Sequence, residues 1–272
     1  MENIENFLVT IVCGETGSGK STQIPQFIYQ ASKSNTWKFQ NNAPEGHPPL
    51  LVGITQPRRV AAVSLAKRVS EELGCKFGRE VGYQIRHDHE FFSKKKTQLK
   101  FMTDGILLKE IETDFLLRHY SVIIIDEAHE RSLNSDILVS LLTRIAHARC
   151  ELAYKERQEY AEKNPGWKIN RESSDDRPKF RYFPLRLVIM SATLRVEDFQ
   201  NNERLFPPSM SKKPNCIKVA ARQFPVTNHY AKTTKNDYVE AAFLKVKKIH
   251  ETLPPGGILV FLTGKKEINY MC

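Results

Sequence analysis

Two short stretches of this 272-residue sequence carry side chains suited to phosphate chemistry. The first is GETGSGKST, in which Gly14 and Gly19 bracket a turn that runs into Lys20 and Ser21. Glycines let several backbone N–H groups face one anion, and a helix that starts at Lys20 adds the positive end of its dipole. The pattern predicts a phosphate-binding loop, with Lys20 on the β and γ phosphates and the Ser21 hydroxyl on Mg²⁺. The alternative, a glycine-rich surface turn, does not explain the strand-like and helix-like flanks.

The second stretch is VIIIDEAHERS, residues 122–132, where four β-branched residues run directly into charged ones. A phosphate-binding loop needs an acidic residue at the end of a neighbouring strand to hold Mg²⁺, and Asp126 stands where the apolar run ends. Hydrolysis of a phosphate bond needs a water that loses a proton, and Glu127 is assigned to that water as general base. Without the phosphate-binding loop, a solvated carboxylate would be the preferred interpretation of Glu127. His129 has no cysteine neighbours for zinc, so we assign it to a link between the nucleotide site and another element.

Apolar and helical segments alternate along most of the chain, which predicts the elements that position these residues. The apolar runs span residues 7–14, 49–57, 98–105, 121–128 and 185–193. Helical periodicity follows the first four runs, from Lys20 to about Ala31, from Val60 to Leu73, from Ile106 to Ile111 and from Ser135 onward. This alternation predicts an α/β fold with a mostly parallel sheet covered on both faces.

Two polar stretches and a late apolar run divide the chain further. Residues 33–49 and 163–184 are rich in Asn, Pro, Gly, Ser and charge, and are expected to be surface excursions or disordered insertions. The apolar run at 256–264 is expected to be a strand of a second unit. We therefore predict one domain over residues 1–221 and the N-terminal fragment of another over 222–272, because one strand cannot form a parallel sheet.

Charge, cysteine content and apolar runs indicate which kinds of binding partner and which cellular compartment suit this protein. The formal net charge is +10 and the pI is near 9.3, which is compatible with a polyanionic partner. The five cysteines are scattered and no two of them form a C-x-x-C pair. This argues against a zinc site and fits reduced thiols. No apolar run approaches the roughly 18 residues that span a bilayer, so no membrane association is expected. The acidic start MENIENFLVTIV is not typical of a secretory signal.

Taken together, the motifs resemble those of the DEAH-box RNA helicases. GETGSGKSTQIPQF is similar to motif I of that family, TQPRRVAA to motif Ia, TDGILLKE to Ib, DEAHERS to II, SAT to III and FLTGKKEI to the start of IV. The resemblance implies RecA-like domains, the cofactors ATP and Mg²⁺, and ATP hydrolysis coupled to RNA remodelling. It also implies that the chain stops within the second domain, so that the 272 residues alone would be poorly active.

The resemblance repeats the roles given above for the phosphate-binding loop and the acidic residues, and it adds further ones. The residues that it implies for the nucleotide are Gly14, Glu15, Thr16, Gly17, Ser18, Gly19, Lys20, Ser21, Thr22 and Arg68. Those implied for catalysis are Lys20, Glu127, His129, Ser191 and Thr193, and those for the metal are Ser21, Asp126 and Glu127. Those implied for an RNA track are Arg58, Arg59, Thr103, Asp104 and Thr263.

Some of these implied roles come with alternatives. Ser191 and Thr193 would couple phosphate sensing to RNA through His129. Arg68 would stack on the adenine base, but Thr234 stands where the family often has the opposing aromatic residue, which puts stacking from that side in doubt. The RNA contacts would go to phosphates and sugars and give little sequence specificity. Without the family, an exposed basic turn would be the preferred interpretation of the Arg58–Arg59 pair.

Within the family, the segment between Arg149 and Leu187 and the phrases IMSATLRVEDF, RQFPVTNHY and LPPGGILVFLTG most resemble the nucleolar helicases of small-ribosomal-subunit assembly. This implies ribosome biogenesis, a nuclear and nucleolar location, and an activator protein of G-patch type. Spliceosomal DEAH helicases share every catalytic motif and are the alternative. Two other classes stay open: a P-loop ATPase acting on protein or DNA, and a non-catalytic nucleotide- or RNA-binding fragment.

Overall fold

The computed structural model describes residues 1–33, 51–88, 97–165, 180–192, 202–206, 213–219, 225–233 and 235–272. The chain divides into two compact units, Met1–Gln223 and Phe224–Cys272. Both stretches with predicted phosphate chemistry lie in the first unit.

A single parallel sheet organises the described part of the first unit. Its strands are β1 (Val9–Gly14), β2 (Val52–Gln56), β3 (Val81–Gln84), β4 (Leu99–Thr103), β5 (Val122–Ile125), β6 (Arg186–Ser191) and β7 (Asn215–Val219). They are ordered β3-β4-β2-β5-β6-β1-β7, and every pairing is parallel. All carboxyl ends therefore lie along one edge of the sheet, where ligand sites of open α/β sheets are found.

Helices cover both faces of this sheet. They are α1 (Glu2–Asn6), α2 (Lys20–Lys33), α3 (Arg59–Glu72), α4 (Asp104–Thr113) and α5 (Leu133–Lys163), with a 3₁₀ turn at Ala128–Glu130. One core cluster packs α4 and α5 against the sheet, and a second packs α2 and α3 against the other face. Successive residues of β5 alternate between these two clusters and all are buried, which explains the unbroken β-branched run before Asp126.

The predicted α/β class with a mostly parallel sheet is confirmed, and each of the five apolar runs of the first unit contains a strand. Two strands were not predicted. β3 has only four residues, one of them Gly82. β7 lies at the sheet edge and has four partly buried residues and one exposed residue, Lys218. Neither segment is long and apolar enough to stand out as a strand in the sequence.

The second unit contains α6 (Tyr238–Thr252) and α7 (Lys265–Met271). The prediction of a strand at residues 256–264 is wrong, because this segment is irregular in the structure. A strand is maintained by hydrogen bonds to a neighbouring strand, and no described residue of this unit pairs with the segment. The two polar stretches fall largely outside the described ranges, at 34–50 and 166–179. None of the described helices has the length and apolar character that crossing a membrane requires.

Candidate nucleotide site

The loop after β1 wraps around the ammonium group of Lys20. Lys20 Nζ donates to the carbonyl oxygens of Gly14 at 2.6 Å and Glu15 at 2.9 Å, and to Ser18 Oγ at 3.2 Å. Gly17 and Gly19 have φ angles of 82° and 83°, in a region that residues with a Cβ rarely adopt. The glycines are therefore required by the backbone path that places the cation inside the loop.

Two of the three predicted metal ligands, Ser21 and Asp126, lie close together although they follow different strands. The Ser21 hydroxyl lies close enough to the Asp126 carboxylate to lower the pKa of that group. Asp126 is 1% exposed, and burial raises the pKa of its carboxyl group, while the nearby Ser21 hydroxyl and the hydrogen bonds from Gln56 and the Glu127 backbone oppose that rise. A hydroxyl and a carboxylate oxygen are the hard ligands that Mg²⁺ prefers, with nucleotide phosphates and waters completing its shell. The residues present therefore fit Mg²⁺.

Gln56 is a site residue that was not assigned from the sequence. Its side-chain amide donates to Asp126 Oδ2 at 2.5 Å, and the Glu127 N–H donates to Oδ1 at 2.9 Å. The contact exists because β2 is the neighbour of β5 in the sheet. No group of three or more His, Cys, Asp and Glu side chains suited to metal binding occurs in the part of the chain that the structure describes.

Glu127 leaves the strand in the left-handed region, with φ 54° and ψ 34°. Its side chain is about one-third exposed. Burial, followed by the neighbouring charge of Asp126, raises the pKa of the Glu127 carboxyl group. A carboxylate with a raised pKa accepts a proton more readily, so the environment favours a general base at this position.

His129 contacts the sequence that follows β6. The Ala192 N–H donates to His129 Nδ1 at 3.2 Å, and Glu127 Oε2 lies 3.4 Å from the same nitrogen. A nitrogen that accepts the Ala192 bond carries no proton, so it cannot also donate to Glu127. Ser191, the last residue of β6, is buried beside this contact, whereas Thr193 lies outside the described residues.

The predicted RNA residues of the first unit follow β2 and β4, beside the nucleotide residues that follow β5, β6 and β1. Arg58 and Arg59 are exposed at the start of α3, and Arg58 Nη2 lies 3.2 Å from Glu130 Oε1. Thr103 is half-buried at the end of β4. Asp104, in contrast, is almost completely buried.

Thr263, the last residue predicted for the RNA track, lies in the second unit. Its hydroxyl shares a hydrogen bond of 2.7 Å with the hydroxyl of Tyr238.

Arg68, which is predicted to stack on the adenine base, is hydrogen-bonded to Glu72. Glu72 was not assigned to the site from the sequence. Arg68 Nε donates to Glu72 Oε1 at 2.6 Å, while the amides of Gln23 and Gln26 donate to Glu72 Oε2 at 3.0 and 2.5 Å. The hydrogen bonds from Gln26 and Arg68 lower the pKa of the Glu72 carboxyl group. The i,i+4 spacing of Arg68 and Glu72 on α3 predicts their ion pair. The cluster connects Arg68 to the helix after the phosphate-binding loop.

Comparison with known proteins identifies one matching family and several relatives that are much longer than this chain. The family model described as DEAD/DEAH box helicase matches residues 2–201. ATP-dependent RNA helicase DEAH13 of Arabidopsis thaliana is 48% identical over all of this chain and 20% of its own length. Probable ATP-dependent RNA helicase DHX37 of Homo sapiens is 46% identical over all of this chain and 19% of its own length.

A relative whose name includes splicing also matches. Pre-mRNA-splicing factor ATP-dependent RNA helicase DEAH10 of Arabidopsis thaliana is 39% identical over 99% of this chain and 36% of its own length. The chain spans about a fifth of the length of the first two relatives.

Proposed function

Because this chain belongs to the DEAD/DEAH box helicase family, we propose that it binds Mg-ATP, hydrolyses it and couples the hydrolysis to RNA remodelling. The observation that carries the proposal is the meeting of Lys20, Ser21 and Asp126 at the carboxyl edge of a parallel RecA-like sheet. A non-catalytic fragment has no chemical need for this combination of a loop cation, a hydroxyl and a buried carboxylate.

In the proposed reaction, each residue of the site has a separate task. Ser21 and Asp126 would hold Mg²⁺, which neutralises charge on the phosphates when bound. Lys20 binds phosphate oxygens, and Glu127 accepts the proton of the attacking water. His129 connects this chemistry to the end of β6 through the Ala192 N–H.

RNA is the proposed second substrate, since the relatives are named RNA helicases and basic residues follow β2 on the same sheet edge. Arg58, Arg59 and Thr103 contact phosphates and sugars of a single strand, so binding depends little on sequence. Thr263 contributes from the second unit. The domain limits that accompany this proposal are residues 1–221 and 222–272.

The proposed cellular role is small-ribosomal-subunit assembly in the nucleolus, with an activator of G-patch type. The support is the resemblance of the segment between Arg149 and Leu187 and of the phrases around it. Pre-mRNA splicing is the second candidate, favoured by the relative that is named a splicing factor. Crosslinking the protein to cellular RNA and sequencing the bound fragments would distinguish the two roles. Precursor ribosomal RNA would indicate ribosome assembly, and spliceosomal RNA would indicate splicing.

Phosphate release from ATP tests the biochemical proposal. The protein is assayed alone, with a single-stranded RNA of mixed sequence, and with DNA of the same sequence. In a version that carries a complete second domain, we expect stimulation by RNA that is absent in Glu127→Gln. Equal stimulation by DNA would favour an ATPase acting on another substrate, and nucleotide binding without turnover under any condition would favour a non-catalytic fragment.

A further inference from the structure

Asp104 stands among the predicted RNA contacts, but its surroundings are those of an internal anchor. It is the first residue of α4 and is only 3% exposed. Its Oδ2 accepts a hydrogen bond from Ser135 Oγ at 2.7 Å, and Ser132 Oγ lies 3.4 Å away. Its Oδ1 is buried and has no hydrogen-bond partner among the described residues. Almost none of this carboxylate is available to an RNA strand.

The two serines form an ordered relay toward Asp104. Ser132 is the N-cap of α5, and its Oγ accepts the Ser135 N–H at 3.0 Å. The two hydroxyl oxygens are 2.6 Å apart. The short distances are all satisfied when the Ser132 hydroxyl donates to Ser135 and the Ser135 hydroxyl donates to Asp104. Asp104 thereby fixes the orientation of the group that caps α5.

The position of Asp104 also explains how a buried carboxylate is tolerated. It lies in the first turn of α4 and contacts the first turn of α5. Both helix N-termini carry the positive end of a helix dipole, which stabilises a negative charge. The negative charge of Asp104 is therefore stabilised by the N-termini of both α4 and α5.

The segment held by this anchor is the loop that presents Glu127. Glu127 and Arg131, at either end of the 3₁₀ turn, have φ angles of 54° and 51°. Left-handed conformations of residues with a Cβ persist only where the surrounding contacts impose them. The loop begins at the end of β5 and ends at Ser132. The hydrogen bonds from Ser132 through Ser135 to Asp104 therefore fix the position of its last residue.

We propose that Asp104 is a positioning residue for the loop of Glu127 and not a ligand of RNA. Through Ser135 and Ser132 it holds the start of α5, and this keeps the Glu127 side chain in its place. The proposal rests on the proposed function for the role of Glu127, but the anchoring itself is a property of the fold.

Ser135→Ala is the decisive variant, because Ser135 is 1% exposed and cannot touch RNA. It removes one oxygen atom without changing charge. Asp104→Ala is the companion variant, and Ser132→Thr keeps a capping hydroxyl. Asp114→Ala is the matched control, since it removes a carboxylate at the opposite end of α4, where Asp114 binds Arg118.

Three measurements are made on each variant: hydrogen exchange of the backbone amides of residues 127–136, affinity for a labelled single-stranded RNA, and kcat and KM for ATP. Ser135→Ala and Asp104→Ala should raise exchange in this loop and lower kcat by about tenfold. The KM for ATP and the RNA affinity should stay within about twofold of the parent protein. Ser132→Thr and Asp114→Ala should behave like the parent.

Two results would overturn the proposal. One is parental exchange and turnover in Ser135→Ala. The other is a loss of RNA affinity in Asp104→Ala that Ser135→Ala does not share, which would make Asp104 an RNA contact. If the parent protein hydrolyses no ATP, the proposed function fails, while the exchange measurement still decides whether Asp104 anchors the loop.

Discussion

The His129 side chain accepts a hydrogen bond from the backbone N–H of Ala192, with 3.2 Å between Nδ1 and the nitrogen. The loop after β5 and the segment after β6 are thereby joined by one imidazole. Because Nδ1 is the acceptor, the neutral ring carries its proton on Nε2. A shift of either segment would break this bond or require the other to follow.

His129→Ala should therefore uncouple the two segments without removing a phosphate ligand. We expect unchanged ATP affinity and a several-fold smaller stimulation of turnover by RNA, measured as the ratio of phosphate release with and without RNA. His147→Ala, which changes a histidine paired with Glu151 on the surface of α5, is the control. Parental stimulation in His129→Ala would show that the bond to Ala192 carries no coupling.

Lys20→Ala removes the cation inside the phosphate-binding loop. A charge-assisted contact contributes about 1.5–3 kcal/mol, so affinity for a fluorescent ATP analogue should fall by at least about tenfold. Lys33→Ala changes a lysine at the far end of the same helix and should bind like the parent. Equal affinity of Lys20→Ala and the parent would contradict the nucleotide site.

Glu127→Gln separates binding from chemistry. The amide keeps the size of the side chain but cannot accept the proton of water, so turnover should fall by at least ~10². Affinities for ATP and RNA should be unchanged, as measured by fluorescence titration. Turnover at the parental rate would exclude Glu127 as the general base.

Arg58→Ala should weaken binding of all single-stranded RNAs alike. Because a phosphate contact is lost, the slope of log affinity against log salt should decrease by about one. Arg118→Ala is the control. Arg118 is also exposed and paired with a carboxylate, that of Asp114, and its loss should leave the slope unchanged. A loss confined to one RNA sequence would indicate that Arg58 contacts a base.

The local parts of the site could be predicted from the sequence, whereas its long-range contacts could not. Gly14 to Ser21 and Asp126 follow directly from motif spacing and from the apolar run before Asp126. Gln56 and Glu72 entered the site only with the structure, because their contacts depend on β2 lying next to β5 and on α3 lying next to α2. The burial of Asp104 likewise depends on the position of Ser132, the N-cap of α5, which is 28 residues later than Asp104 along the chain.

The strand order has a consequence for the order in which the protein is made. β1 is synthesised first among the strands, yet its partners in the sheet are β6 and β7, which begin at Arg186 and Asn215. The phosphate-binding loop leaves the ribosome attached to a strand that has no neighbouring strand until Arg186 and the residues after it have been synthesised. Pairing across such a sequence distance is slow, and exposed strands aggregate during the delay. A nascent chain stalled before Arg186 should therefore fail to retain an ATP analogue, whereas a chain that has emerged beyond Val219 should retain it.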